Sequence, residues 1–148
     1  MSRKLSAHYI FPVSSPPLKF GKLLCEDNGE IIELTDTRGL FKEEEGLEFY
    51  DGIIVPGFMV ERFQSEQALL DRMKTMQYQY PSLTLEDIIR WATLESAKKN
   101  NLDKDYGSFE IKKHPGVYLI SKIDFKLMKL TEASIVKVLI PPEEMSLF

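Results

Sequence analysis

The chain has one cysteine, Cys25, and two histidines, His8 and His114, among 148 residues. A single thiol excludes an internal disulfide and agrees with a reducing compartment. Two imidazoles far apart in sequence cannot alone supply the roughly three protein ligands that a catalytic zinc site takes. No apolar run approaches the ~18 residues that a helical membrane span needs. The basic start at Arg3 and Lys4 leads into Pro12, Pro16 and Pro17 rather than an apolar stretch, so no secretory signal is expected. Neither Gly-x-Gly-x-x-Gly nor a P-loop is present, which removes the usual phosphate cradle. Positive charge is also short: the net charge is -4 and the pI about 5.3, against a general nucleic-acid binder. These absences lead to the expectation of a cytoplasmic chain with no nucleic-acid and no membrane partner.

What remains is an ordinary globular composition, 43% hydrophobic and 28% charged, long enough for one domain with a real core. Residues 4–58 carry strand patterns: 5–11 before Pro12, 20–25, 31–34 and 47–55. Asn28-Gly29 between two apolar runs predicts a two-residue type I′ hairpin, and further turns are expected at residues 36–39 and at Asp51-Gly52. The period then changes. Ala68, Leu69, Met73, Met76 and Tyr80 recur at helical spacing behind Ser65, a suitable N-cap, and Pro81 ends that helix. Thr84 and Asp87 form an approximate capping box for a second helix whose apolar face is Leu85, Ile88, Ile89 and Ala92, continuing to Ala97. Lys98 and Lys99 at its C-terminus, and Lys112 and Lys113 in the later turn, are expected as solvated charges. Strand patterns return at 108–111, 117–120 and 135–140, with a turn at residues 112–116. The expected class is α+β, with N- and C-terminal strands sharing sheets around two helices.

Several segments in this order resemble the amidohydrolase superfamily, nearest its cytosine-deaminase and chlorohydrolase-like members, including aminofutalosine deaminases. They are the opening Ala7-His8-Tyr9-Ile10-Phe11-Pro12, the hairpin Asn28-Gly29-Glu30-Ile31-Ile32, and the strand ending Val55-Pro56-Gly57-Phe58. The likeness resumes at Trp91-Ala92-Thr93 and at Gly107-Ser108-Phe109-Glu110 with Lys112-Lys113. One departure is His114-Pro115-Gly116-Val117, where many members carry Ala-Asp before an apolar strand. The resemblance implies a β-sandwich formed by both chain ends, the composite domain that sits beside a catalytic (β/α)₈ barrel. Such a barrel needs about 250 residues. Here residues 59–64 stand in its place, and Met59-Val60-Glu61-Arg62-Phe63 holds no His-x-His metal motif. The expected organisation is therefore a single domain over 1–148: N-terminal strands 1–58, a junction at 59–64, helices in 65–102 and C-terminal strands in 103–148.

Relatives of this kind use zinc or another divalent metal to hydrolyse C–N bonds other than peptide bonds. None of their ligand positions exists here, so no catalytic, cofactor-binding or metal residue is assigned, and no cofactor is expected. His8 is expected to be a structural side chain beside Tyr9, and His114 an exposed turn residue. Cys25, between an apolar strand and Glu26-Asp27, is set against thiolate formation. Glu43, Glu44 and Glu45, and the pair Glu143 and Glu144, are expected to lie in water. Trp91, with Ile88, Met73 and Tyr80, is expected to pack helices onto the strands. The chain then reads as a non-catalytic structural domain left by an engineered or natural barrel deletion. The alternative is a natural interaction module that dimerises through apolar surface near Phe58, Met59, Val60 and Phe63.

Overall fold

A computed structural model describes residues 2–59 and 64–143. The strands are β1 (Ser2–Ile10), β2 (Leu18–Lys19), β3 (Lys22–Glu26), β4 (Ile31–Thr35), β5 (Leu47–Pro56), β6 (Val117–Ser121) and β7 (Ile135–Ile140). Between β5 and β6 lie α1 (Glu66–Gln79) and a second helix of three parts: α2 (Leu85–Arg90), a π-helical turn (Trp91–Glu95) and α3 (Ser96–Lys99). The fold is α+β. All strands join one mixed seven-stranded sheet in the order β4-β3-β1-β5-β6-β7, with β2 against β1. Among the described residues only the central pair β1–β5 is parallel.

The two chain segments meet at the centre of this sheet. Ile53 pairs with Ile120 and Pro56 with Val117, so β5 from the first segment and β6 from the last are direct antiparallel neighbours. Alternation in these strands feeds two cores. Ile53, Val55, Tyr118 and Ile120 face the helices, where Leu70, Met73, Ile88 and Ile89 meet them. Ile54, Val117 and Leu119 face the other way, against Leu5, Leu23, Ile31 and Ile140.

The hydrogen bonding joins the described strands in one sheet, which is not closed. It curls over the second core. A Cβ on Gly29 in the β3–β4 hairpin would lie 3.3 Å from the Ile140 side chain of β7. Arg3 of β1 donates from Nη1 to the Leu139 carbonyl of β7 at 3.1 Å. That side chain also blunts an edge that would otherwise offer an unpaired carbonyl to another strand.

Helix α1 begins where Ser65 accepts from the Ala68 amide, and Tyr80 caps its end just before Pro81. Its Leu69, Leu70 and Met73 are buried, each contributing about 1.5–3 kcal/mol. Two glutamines then fix its register. Gln67 donates to the Ser134 carbonyl at 3.4 Å and accepts from the Val136 amide at 3.1 Å. Gln77 both donates to and accepts from the Leu130 backbone, at 2.9 Å each way. Gln67 thus takes a strand's place at the start of the β7 edge, and Gln77 holds the loop before it. Net hydrogen bonds of about 1 kcal/mol each add less than the burial does, but they specify position. The Thr84–Asp87 capping box forms as expected.

Three local expectations change. The Asn28-Gly29 turn is a three-residue loop: Glu26 accepts from Gly29 and donates to Glu30, both at 2.9 Å. Gly29 has φ +92, whereas Asn28 does not have positive φ, so the type I′ pair does not form. Asp51-Gly52 is no turn but a bulge within β5: Ala7 pairs with Tyr50 and Tyr9 with Ile53, leaving one extra residue on β5. Residues 108–111 form no strand. Phe109 donates to Pro12 and packs into the second core, while Gly107 (φ +94) turns the chain away from a ladder.

Candidate functional site

His8 and His114 come out in unrelated places. His8 lies on β1 opposite the β5 bulge, with a third of its side chain exposed. Its ring packs against Phe125, Phe49 and Phe20 at centroid distances of 4.7, 5.3 and 6.0 Å. Its Nδ1 accepts from the Gly52 amide at 3.3 Å and lies 3.4 Å from Asp51 Oδ1. Phe41 joins the group edge-on to Phe49 at 5.0 Å. The result is an aromatic cluster on the part of the helix-side face that the helices do not cover. Leu40, Phe41 and Phe49 leave it partly in solvent.

The loop that carries Phe41 is pinned by one carboxylate. Glu44 accepts from Lys22 at 2.7 Å and from Lys4 at 3.2 Å. The two ammonium partners, Lys22 foremost, hold its carboxyl below the usual range. Glu44 therefore has a specific pairing role, whereas the sequence alone suggested simple solvation.

His114 is not an exposed turn residue. Its side chain is 17% exposed and sits between Glu30 (Nε2 to Oε1, 3.6 Å) and Glu143 (Nδ1 to Oε2, 3.5 Å). Glu144 lies outside the described residues. Lys113 is likewise drawn inward, 9% exposed, donating to Ser108 at 2.8 Å and Glu110 at 3.0 Å. Ser108 donates to Glu110 at 2.6 Å, and these two bonds keep the Glu110 carboxyl depressed. A lysine beside a serine can activate a nucleophile, but Ser108 is fully buried. This trio is a turn clasp.

Cys25 is fully buried. Desolvation pushes its thiol up to about 11, only partly opposed by Arg3. It is not a nucleophile in this setting. Arg3 instead grips Glu48 through Nε at 3.0 Å and Nη2 at 2.8 Å, and Tyr50 donates to the same carboxylate at 2.7 Å. These bonds, Arg3 first, hold the Glu48 carboxyl low.

Around the junction, Phe58 is 3% exposed and stacks edge-on with Tyr118 at 5.2 Å. It is core, not open apolar surface. Val60 and Phe63 lie outside the described residues. The π-helical turn places the Ala92 carbonyl where it accepts from the Met59 amide at 2.9 Å. Such turns recur at sites where a helix must reshape locally. A cleft of about 500 Å³ opens there, lined by Met59, Leu69, Arg72, Trp91, Glu95 and Lys99 among others. Arg72 lies over the Trp91 ring at 5.4 Å. Trp91 is partly buried and packs on the core that holds Met73 and Ile88, as expected, whereas Tyr80 is exposed.

Among the described residues no group of three or more His, Cys, Asp or Glu is arranged to hold a metal ion, and no helix is long and apolar enough to cross a membrane. The chain matches no protein-family model, no curated protein and no solved structure. Sequence reasoning missed the aromatic cluster. Its members, His8, Phe20, Phe41, Phe49 and Phe125, come from five separate stretches, and only the 11% aromatic content hinted at it.

Proposed function

We propose that this chain is the structural scaffold of an amidohydrolase-like hydrolase, its two end segments joined without a catalytic barrel, and that it catalyses no hydrolysis by itself. The observation that carries this reading is the β5–β6 pairing. The strand ending Pro56-Gly57-Phe58 is completed only by a strand lying beyond both helices. The junction reinforces it. Gly57 donates to the Pro115 and Gly116 carbonyls at 3.2 Å each, and a Cβ on Gly57 would sit 2.3 Å from Pro115 O. Two segments that need each other's backbone at this point are what the ends of one interrupted domain require. On this reading the curled sheet is the composite sandwich of such enzymes, the chain is cytoplasmic, and it has no nucleic-acid partner. The test is elemental analysis of the purified chain together with a screen of cyclic-ureide and aminopyrimidine hydrolysis. No stoichiometric metal and no turnover are expected. Tightly bound zinc, or turnover abolished by one point substitution, refutes the reading.

A second reading, a dimerising interaction module, is favoured by one feature: Leu40, Phe41 and Phe49 are 73%, 44% and 40% exposed, with the two phenylalanine rings edge-on at 5.0 Å. Light scattering across concentrations decides it. A strictly monomeric chain at high concentration rules out that module.

A further inference from the structure

The β5 bulge depends on an acceptor that a proton can remove. Opposite His8, β5 carries an extra residue, and Gly52 has φ +147. Gly52 is buried so closely against β6 that a Cβ would fall 2.4 Å from the Ile120 carbonyl oxygen. Its amide donates to His8 Nδ1 at 3.3 Å. This bond requires Nδ1 to hold its lone pair, so the ring proton resides on Nε2. The same nitrogen lies 3.4 Å from Asp51 Oδ1, on a side chain 90% exposed and free to turn. The two partners make opposite demands. Gly52 N–H needs an unprotonated Nδ1, and the Asp51 carboxylate needs a protonated one.

We propose that His8 makes the β5 bulge a proton-sensitive joint, exchanging the Gly52 amide for the Asp51 carboxylate when the imidazole becomes a cation. Asp51 is the only ionisable group that β5 places on Nδ1. The remaining faces of the ring meet Phe20, Phe49 and Phe125, all uncharged, with Lys19 reaching only the Phe20 ring at 5.8 Å. These aromatic faces tolerate a cation. The acid form therefore keeps the ring in place while leaving a buried amide without its acceptor, an expensive state for any backbone donor. The next residue, Ile53, begins the pairing with Ile120 of β6. The preceding stretch carries Phe49 into the exposed aromatic patch. Protonation thus loosens the point where β5 changes partners, and with it the seating of that patch.

The experiment is amide NMR on the full chain between pH 8 and 5, the range in which imidazoles ordinarily titrate. Exchange rates are corrected for intrinsic pH dependence. The Gly52 amide shift should follow the His8 ring protons with one midpoint, and its protection should fall about tenfold or more in the acid form. His8→Gln keeps a side-chain acceptor that does not titrate, so the Gly52 transition should vanish. Asp51→Asn removes the second partner and leaves the first, so the Gly52 transition should remain. A Gly52 amide that stays flat while His8 titrates overturns the proposal. So does a transition that survives in His8→Gln, or one that is lost in Asp51→Asn. If His8→Gln fails to fold, the wild-type comparison of ring and amide midpoints still decides.

Discussion

Replacing Gly57 by alanine tests how the two segments are joined. The added Cβ would sit 2.3 Å from the Pro115 carbonyl oxygen and 3.3 Å from the Tyr118 ring. The first of these is backbone and cannot swing aside. Relief requires the 56–58 and 115–116 segments to part by about 1 Å, an overpacking strain of about 1–3 kcal/mol. The same movement stretches the two 3.2 Å bonds from the Gly57 amide. Leaving that buried donor unmet costs about 1–3 kcal/mol more. Against this stands a gain of about 0.4–1 kcal/mol from a less flexible unfolded chain. The net expectation is a loss of about 2–4 kcal/mol, or roughly 5–15 °C in Tm for a domain of this size. Urea unfolding gives the comparison, with Gly46→Ala as the control. Gly46 has φ +80 and nothing within 4 Å of an added Cβ, so only the backbone strain of about 1–2 kcal/mol applies there. If Gly57→Ala is no more costly than Gly46→Ala, the Pro-Gly-Phe end is not clamped to the C-terminal segment and the reasoning fails.

Gln77→Ala removes both bonds to the Leu130 backbone; it should cost about 1–3 kcal/mol and raise hydrogen exchange first in α1 and at Leu130. Equal effects across the whole sheet would contradict a local clasp. Glu44 and Glu48 both have depressed carboxyl pKa values, caused first by Lys22 and Arg3 respectively. A depressed folded value contributes stability above the unfolded carboxylate range and loses it as pH falls through the folded value. Acid unfolding should therefore flatten in Glu48→Gln below about pH 4.3, by a modest amount because that side chain is 37% exposed. Cys25, with its thiol raised to about 11 and fully buried, should resist iodoacetamide at pH 8 and react once the chain is unfolded. Fast labelling of the native chain would refute its burial.

Much of the framework was legible locally. The helix starts at Ser65 and Thr84 follow from side chains that satisfy amides three residues on, and the structure places both caps there. β6 appears in the apolar run after Gly116, and β7 in the β-branched run that ends at Pro141. Charged residues near chain turns were less readable. Lys113 is drawn inward by Ser108 and Glu110, and His114 by carboxylates from Glu30 and Glu143. A composition rule that assigns lysine and histidine to solvent cannot foresee a clasp within the turn, as at Lys113, or partners brought from distant stretches, as at His114.

The bulge shows the same limit from another side. Asp51-Gly52 has turn chemistry, but β1 and β6 hold it in a strand from opposite sides. The sequence by itself determined where backbone can form helix or strand, because caps, periodicity and proline act within a few residues. Tertiary structure decided which strands are neighbours, that they share a single curled sheet, and that four phenylalanine rings gather around one histidine. Those outcomes depend on burial and on backbone pairing between residues far apart in the chain, and no local signal encodes either.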